Sequence, residues 1–505
     1  MKIELMDTTL RDGEQTSGVS FSANEKLAIA QLLINDIGVD RIEVASARVS
    51  EGELEAVSRI VKWATSHGHI RRIEVLGFVD NHRSLDWLNK VGGKVVNLLT
   101  KGSLKHVEGQ LKKTPEEHVA DITNEVNYAQ ELGIDVNVYL EDWSNGMIHS
   151  PEYVFQMMDA LKSLPIKRYM LPDTLGILSP SQTSDFCNQM IEKYPDLHFD
   201  FHPHNDYDLA VANIYESIKS GVNGIHTTVN GLGERAGNAP LSSVIGVLHD
   251  LLKVETNLKE GKLAKVSKMV ETFSGVRVPS NKPLVGEFVF TQCAGIHADG
   301  DNKNNLYFND LLPERFGRSR SYALGKTSGK ANIKKNLEEL GIELDEAAMK
   351  LVTQKVIELG DQQKTVKKED LPLIISDVLG NRGHISRIKM LNYSLALTHG
   401  LRPVATVKVE IEGKDYQATS AGNGQYDAFS RALSIIYKDL KKPRPYLKDY
   451  IVTIPPGGRT DALVETCIHW EFKGNAFQTR GMDSDQTEAA IQATIRMLNI
   501  IETMQ

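Results

Sequence analysis

The chain has 505 residues, of which 41% are hydrophobic and 25% charged, a balance typical of a folded globular protein with two or three domains. Its formal net charge of −8 argues against nucleic acid or an anionic membrane surface as the main partner. The three cysteines are far apart in the sequence, no apolar run reaches about 18 residues, and the chain has no charged-then-apolar start. These features predict a cytoplasmic protein without a membrane span or a disulfide framework.

Strand-like and helical stretches alternate through the first half of the chain. Eight strand-like runs begin at residues 2, 41, 71, 94, 135, 167, 198 and 224. Amphipathic stretches with helical periodicity, such as 23–38 and 151–164, lie between them. Eight such units in about 250 residues predict a TIM barrel. The alternative is a doubly wound open sheet, which the count of eight and the lack of an early G-x-G-x-x-G motif disfavour.

Polar residues follow the predicted strands at their carboxyl ends, where TIM barrels carry catalytic groups. Strand two, for example, ends in Glu43 and Ser46, and several later predicted strands also end in polar residues. The candidate functional residues at these ends are Arg11, Asp12, Glu141, Thr174, His202, His204 and Asn238. Solvated loops would not place such residues at the ends of apolar strands, so we predict one site at this rim.

His202 and His204 lie two residues apart in a strand-like run, so their side chains point to the same face. Two neutral imidazoles on one face can hold a divalent metal ion, although two hydrogen-bonded structural histidines are the alternative. Asp12 is the best third ligand, and Asn238 is a plausible neutral fourth oxygen ligand. These donors fit Mg, Mn, Co or Zn and leave open positions for substrate.

The other rim residues have candidate roles around this metal site. Arg11 can stabilise a developing oxyanion, or it can form a salt bridge to Glu141 or another rim acid. Thr174 can bind a substrate carboxylate or cap the next helix. Glu141 can position a base or water or orient Arg11, and Asp206 is expected to orient the histidines as an acceptor. Such a set suits carbon–carbon bond formation at a polarised α-keto acid.

The second half of the chain has a different pattern. A helical linker and a segment rich in Gly, Asn and Asp precede short charged helices, and then two βββα units follow in tandem. This repeat predicts an α+β domain with internal pseudo-symmetry that serves binding or assembly. The predicted domains are a catalytic barrel, linker subdomains and a regulatory domain, with the bounds 1–255, 256–380 and 381–505.

Three motifs resemble the signatures of the α-isopropylmalate, homocitrate and citramalate synthases. They are Asp-Thr-Thr-Leu-Arg-Asp-Gly-Glu-Gln (7–15), His-Pro-His-Asn-Asp (202–206) and Gly-Leu-Gly-Glu-Arg-Ala-Gly-Asn (231–238). They occur in the family's order and spacing, and the resemblance covers essentially the whole chain. It implies a TIM-barrel enzyme that condenses acetyl-CoA with an α-keto acid. It also implies a metal site with the same four ligands and Arg11 at the keto oxygen.

The resemblance also implies that His297 and Tyr307 enter the barrel mouth of the partner subunit and assist proton transfer or acetyl-CoA binding. Residues 256–380 would then complete the active site of the other protomer. The general base stays open among His297, Tyr307 and Glu141. The C-terminal part resembles a dimeric regulatory domain that binds the pathway end product, which implies a homodimer with an amino-acid effector.

Three bulky residues at the ends of neighbouring strands bear on the choice of keto acid: Leu76, Leu99 and Tyr139. If they face the mouth, they leave room for the methyl group of pyruvate and clash with an isopropyl group. If they are core residues, they do not select the substrate. With residues 141–146 and 299–307, they resemble the citramalate synthase branch. We therefore predict that pyruvate and acetyl-CoA give (R)-citramalate, a precursor of isoleucine.

If citramalate is the product, isoleucine is the expected inhibitor, and its site lies near Gln425, Tyr426 and Asp427. The main alternative is α-isopropylmalate synthase, which uses α-ketoisovalerate and serves leucine biosynthesis. A lyase of the HMG-CoA lyase type is a second alternative, but such enzymes usually lack the βββα tail. A non-catalytic regulator with this fold is disfavoured by the intact set of site residues.

Overall fold

The computed structural model describes residues 2–294, 300, 306, 309–361, 366, 368–379, 388–453 and 464–503. His297 and Tyr307 lie outside the described residues. The described residues belong to two compact units. The first comprises Met1–Thr291 and Phe308–Ser321, and the second comprises Gln292–Tyr307 and Tyr322–Gln505.

The first unit contains a closed barrel of eight parallel strands in sequential order, in which β8 pairs with β1. The strands are β1 (Glu4–Asp7), β2 (Arg41–Ser46), β3 (Ile73–Phe78), β4 (Val95–Lys101), β5 (Asp135–Glu141), β6 (Ile166–Asp173), β7 (Phe199–Pro203) and β8 (Gly224–Thr227). The prediction of a TIM barrel is confirmed, and each strand falls within or beside a predicted run.

Helices follow the strands around the outside of the barrel. They are α1 (Ala23–Gln31), α2 (Glu51–Ser66), α3 (Arg83–Lys90), α4 (Leu104–His106), α5 (Pro115–Glu131), α6 (Trp143–His149), α7 (Pro151–Leu161), α8 (Pro180–Lys193), α9 (Ala210–Ser220), α10 (Leu241–Asp250) and α11 (Leu263–Ser274). Capping boxes at Ser22, Thr114 and Ser179 satisfy backbone N–H groups where α1, α5 and α8 begin. None of the described helices has the length and apolar character of a membrane span.

The side chains of the barrel strands alternate between two surroundings. Phe199 and Phe201 belong to the large hydrophobic core between the strands and the helices. Asp200, between them, reaches across the inside of the barrel to Arg41 on β2 at 2.5 Å. The barrel interior, which we call the lumen, is therefore crossed by buried polar contacts, while most of the apolar core lies outside it.

The second unit begins with short elements and ends in the predicted repeat. In the sequence, the two-residue strands β9 (Thr291–Gln292) and β10 (Ser321–Tyr322) each contain a unit boundary, and α12 (Lys330–Glu339), α13 (Glu346–Asp361) and α14 (Leu371–Leu379) follow. The repeat then comprises β11 (Ile388–Ala396), β12 (Val404–Ile411), β13 (Lys414–Ala421), α15 (Gln425–Asp439), β14 (Tyr446–Thr453), β15 (Val464–Phe472), β16 (Asn475–Asp483) and α16 (Gln486–Thr503).

The tandem βββα prediction is confirmed by two three-stranded antiparallel sheets, each followed by a helix. Alternate residues of each central strand are buried, as a half-covered antiparallel sheet requires. The helices contribute apolar faces to one common core, in which Phe429 and Leu433 of α15 join Trp470 of β15 and Met497 of α16.

Candidate active site

The carboxyl ends of β1 and β7 bring together one carboxylate and two imidazoles. Asp12, His202 and His204 each offer a ligand atom, and these atoms lie within 4.8 Å of one another. His202 Nε2 is 3.0 Å and His204 Nε2 is 3.9 Å from Asp12 Oδ2. All three residues are buried, which excludes the ordinary case of a solvated acidic cluster.

Asn238 reaches the same place through the loop that follows β8. It forms an isolated β-bridge with His204, and its Nδ2 donates a hydrogen bond to the carbonyl oxygen of Leu232 at 3.1 Å. The tight loop depends on Gly237, whose φ is 83° and where a Cβ would overlap the carbonyl oxygen of Gly231. This loop therefore holds Asn238 next to His204, one of the three other candidate ligands.

Buried atoms without hydrogen-bond partners show what the site could hold. Within the described part of the chain, no hydrogen bond satisfies Asp12 Oδ1, His204 Nδ1 or Asn238 Oδ1. An unsatisfied buried polar group costs roughly 1–3 kcal/mol, so several at one point indicate a missing partner. The donor set of one carboxylate, two imidazoles and one amide oxygen fits a divalent metal ion.

The protonation states suit metal binding. Burial lowers the pKa of His202 and of His204 to about 4, although the charge of Asp12 opposes this. Burial alone would raise the pKa of Asp12, but the charge of the Arg11 guanidinium is the largest effect that opposes it, and the pKa of this carboxyl lies well below its ordinary value. Near neutral pH the histidines therefore carry free lone pairs and the carboxylate is ionised.

Arg11 lies beside the carboxylate with its charge held in place. Its Nε donates to Glu43 Oε2 at 2.6 Å, and its Nη1 lies 3.2 Å from Asp12 Oδ2. Burial would lower the pKa of Arg11, but the charges of Asp12 and Glu43 raise it, so the guanidinium stays protonated. A fixed buried cation next to the donor set can stabilise negative charge that develops on an oxygen atom of a bound substrate.

Among the described residues, the acids that pair with Arg11 are Asp12 and Glu43, and not Glu141. Glu141, at the end of β5, forms an ion pair with Lys101 at the end of β4. The alternative in which Glu141 orients Arg11 is therefore not supported, and Glu141 remains a polar group at the rim.

Two more rim residues make contacts that differ from the expected ones. Thr174 Oγ1 accepts a hydrogen bond from the backbone N–H of Asp142 at 2.9 Å, while Ser179 caps the next helix. Asp206 accepts from Arg235 Nε at 2.7 Å, and within the described residues it makes no hydrogen bond to either histidine. The prediction that Asp206 orients the histidines is therefore wrong.

The three bulky residues at the ends of neighbouring strands do come together. Leu76 and Tyr139 are buried with Met6 and Met170 in a small apolar cluster inside the barrel, and Leu99 packs against it. The Tyr139 ring lies 5.7 Å from the His202 ring, and the Arg11 guanidinium carbon is 5.8 Å from the Tyr139 ring centre. We call these five side chains the pocket cluster; it adjoins both Arg11 and the candidate metal ligands.

Two lumen residues next to the site, His226 and Asp200, had no predicted role. His226 on β8 has its Nδ1 3.2 Å from His202 Nδ1, and its Nε2 lies 3.1 Å from Asp200 Oδ2. The second of the two residues, Asp200, lies on β7 between Phe199 and Phe201, and His226 follows Ile225 on β8. That period-two polar pattern is the sequence signal that could have identified them.

Comparisons with known proteins agree with this geometry. The HMGL-like family model matches residues 2–270, the homocitrate synthase post-HMGL domain model matches 284–364, and the LeuA allosteric (dimerisation) domain model matches 365–502. An (R)-citramalate synthase of Methanocaldococcus jannaschii is 32% identical over 99% of this chain and 100% of its own length. A 2-isopropylmalate synthase of Pyrococcus furiosus is 33% identical over 99% of each chain.

The chain belongs to the citramalate and 2-isopropylmalate synthase family. It is an acetyl-CoA-dependent condensing enzyme, an acyltransferase. Among solved structures, a hydroxymethylglutaryl-CoA lyase from Pseudomonas aeruginosa covers 55% of this chain and 94% of its own, at 19% identity and a TM-score of 0.45.

The family's allosteric domain contains the two predicted effector residues. The Tyr426 hydroxyl lies 2.8 Å from Thr494 Oγ1, and burial raises the pKa of Tyr426 to about 12. Asp427 accepts from the backbone N–H of Asn423 at 2.8 Å and from Arg431 Nε at 2.9 Å. Tyr426 thus joins α15 to α16 of the repeat, while the contacts of Asp427 to Asn423 and Arg431 are local to the start of α15.

Proposed function

We propose that this synthase condenses acetyl-CoA with pyruvate to give (R)-citramalate and CoA. The observation that carries the proposal is the pocket cluster, which occupies the space beside Arg11 and His202 with large side chains. A keto acid held between these two residues directs its side chain toward that cluster. A methyl group needs little room there, whereas an isopropyl group needs two additional carbons to be accommodated.

Asp12, His202, His204 and Asn238 are the residues that would hold the divalent ion, be it Mg, Mn, Co or Zn. When bound, such an ion supplies Lewis acidity for the keto and carboxylate oxygens of the substrate. Arg11 adds a fixed positive charge at the keto oxygen, and Glu43 keeps the guanidinium oriented. Thr174 is our candidate for the substrate carboxylate, since its hydroxyl can still donate while it accepts from Asp142.

The reaction needs a base that removes a proton from the acetyl methyl group. The resulting carbon nucleophile bonds to the keto carbon, the keto oxygen takes up a proton, and water then cleaves the thioester to release CoA and a carboxylic acid. Glu141 is the candidate base among the described residues, held at the rim by Lys101. His297 and Tyr307 of the partner subunit remain the other candidates.

Overall sequence identity does not distinguish pyruvate from α-ketoisovalerate as the substrate. The citramalate synthase and the 2-isopropylmalate synthase of Methanocaldococcus jannaschii are each 32% identical to this chain. The pocket cluster therefore carries the choice of pyruvate over α-ketoisovalerate. For the allosteric domain we propose a homodimer with isoleucine as the effector near Tyr426 and Asp427, which the match to a LeuA allosteric (dimerisation) domain supports.

The test is CoA release from acetyl-CoA by the full-length protein with pyruvate or α-ketoisovalerate, in the presence and absence of each divalent metal. We expect metal-dependent turnover with a strong preference for pyruvate. Preference for α-ketoisovalerate would assign the chain to isopropylmalate synthesis, and metal-independent turnover would contradict the metal site. His204→Ala should abolish turnover, while His249→Ala, a histidine on α10 that bonds Glu260 and Thr256, serves as the control.

A further inference from the structure

A line of four buried side chains runs from the lumen to the candidate metal site. Asp200 Oδ2 is 3.1 Å from His226 Nε2, His226 Nδ1 is 3.2 Å from His202 Nδ1, and His202 Nε2 is 3.0 Å from Asp12 Oδ2. Each contact joins two atoms that both carry lone pairs. Each therefore requires a proton or another cation between its atoms.

The number of protons does not match the number of contacts. Two neutral imidazoles carry two N–H groups, but the line contains three contacts. The Asp200 carboxylate is an acceptor, since Arg41 Nη2 donates to its Oδ2 at 2.5 Å. His226 must therefore carry its proton on Nε2, which leaves its Nδ1 as an acceptor.

The assignment then continues along the line. His202 donates its Nδ1–H to His226 Nδ1, and its Nε2 keeps the lone pair that faces Asp12. A lone pair and a carboxylate oxygen 3.0 Å apart repel each other unless a cation lies between them. The contact without a proton is thus the one at the site where a divalent ion would bind.

We propose that His226 is a positioning residue, which with Asp200 fixes His202 in the tautomer whose Nε2 can bind the metal. This inference rests on the proposed function only in that Asp12 and His202 hold a divalent ion. A histidine ligand commonly donates its second N–H to a carboxylate or carbonyl, which sets ring orientation and tautomer. Here the His226 imidazole is the acceptor for the second N–H of His202. The Asp200 carboxylate in turn sets the tautomer of His226.

His226 also reaches the substrate side of the site. The Tyr139 hydroxyl lies 3.2 Å from the same His226 Nδ1, and Arg11 Nη2 is 3.5 Å from that hydroxyl. The hydroxyl can accept from Arg11 and donate to His226. The single lone pair of His226 Nδ1 is then shared between the His202 N–H and the Tyr139 hydroxyl, so one atom contacts both a metal ligand and a wall of the pocket cluster. Simple filling of the lumen would not require this double role.

Co²⁺ binding to the full-length protein tests the proposal through affinity and the visible spectrum of the ion. We expect His226→Leu, which removes the acceptor but fills the space, to weaken Co²⁺ affinity by about 10–100-fold and to change the spectrum. His226→Asn keeps a carbonyl acceptor near the Nδ1 position and should restore most of the affinity. His249→Leu removes a half-buried histidine with two partners elsewhere and should bind Co²⁺ like the native protein.

The outcomes separate this inference from the proposed function. If the native protein binds no Co²⁺, or His204→Ala binds it equally well, the metal site fails and this inference fails with it. If His204→Ala loses Co²⁺ binding but His226→Leu binds the ion like the native protein, the metal site stands and the positioning role is wrong. Should His226→Leu not fold, as judged by the thermal unfolding of the metal-free protein, His226→Asn decides. Near-native Co²⁺ affinity of His226→Asn then supports the positioning role. A loss of affinity as large as that of His204→Ala contradicts it.

Discussion

Glu43 Oε2 accepts a hydrogen bond from Arg11 Nε at 2.6 Å, and both side chains are held inside the barrel next to Asp12. Glu43 is itself fixed by Asn97, whose Nδ2 donates to the other carboxylate oxygen at 2.8 Å. The guanidinium is thus set in one orientation by a buried acid that Asn97 in turn holds in place.

Removal of the charge from Glu43 should impair catalysis more than substrate binding. Glu43→Gln keeps an oxygen for Arg11 but removes its counter-charge, so the guanidinium can shift by a fraction of an ångström. We expect kcat to fall roughly 10–100-fold with a smaller change in KM. The control is Glu53→Gln, which weakens a different ion pair, to Lys26. An unchanged kcat would contradict the orienting role.

Smaller side chains in the pocket cluster should change the choice of keto acid. Leu76→Ala and Leu99→Ala open space beside Tyr139, so kcat/KM for α-ketoisovalerate should rise relative to pyruvate by about 10–200-fold. Leu88→Ala, a matched truncation on α3 outside the lumen, should destabilise the fold without changing that ratio. Equal ratios in all three variants would show that the cluster does not line the substrate.

Asp7 should make stability depend on pH. Burial raises its pKa to about 7, although the hydrogen bond from the Thr9 backbone N–H opposes the shift. Since the folded pKa lies above the unfolded value near 3.8, the folded state holds a proton that the unfolded chain releases between these values. The stability of the native protein should therefore fall as pH rises from about 4 to about 7, by at most about 1.4 kcal/mol per pH unit.

Asp7→Asn tests this because the amide keeps an acceptor for Thr9 and cannot ionise. The variant should match the native protein in Tm near pH 4 and exceed it near pH 8, as measured by calorimetry. A difference in Tm that is the same at both pH values would rule out ionisation of Asp7 as the cause.

Loss of the Tyr426 hydroxyl should weaken feedback inhibition and leave uninhibited turnover unchanged. Tyr426→Phe removes the 2.8 Å contact to Thr494 that joins the two helices of the repeat. One such hydrogen bond is worth about 0.5–1.5 kcal/mol, so the isoleucine concentration for half-inhibition should rise roughly 3–10-fold. Tyr437→Phe removes another buried hydroxyl of α15 and serves as the control. The same shift in both variants would argue for general loosening of the domain.

Much of the fold could be predicted because its periodicities are strong. The eight barrel strands read as apolar runs, and the two βββα units repeat in the same order, so both architectures follow from local sequence. The donor set was found for a similar reason. A His-Pro-His run at a strand end brings two imidazoles to one rim, and barrel closure brings β1 beside β8 and β8 beside β7.

The contacts of Arg11 and Asp206 could not be predicted. Glu43 stands with Ser46 in the predicted end of strand two, and no local pattern marks it as the partner of Arg11. In the structure it lies within β2 and faces the lumen. Asp206 lies beside the histidines in sequence, yet a loop carries Arg235 to within 2.7 Å of it. Which side chains meet across a barrel depends on strand stagger and loop course, and neither leaves a local pattern in the chain.

Arg41 has a consequence for how the protein unfolds. Its guanidinium contacts Glu4 on β1, Glu74 on β3 and Asp200 on β7, so one side chain joins the first and second halves of the strand order across the lumen. A half-barrel of four strands would have Arg41 and Glu74 without Asp200, and it would leave charges facing an open interior. We therefore expect the eight strands to melt as a single cooperative unit, with no stable half-barrel intermediate at equilibrium.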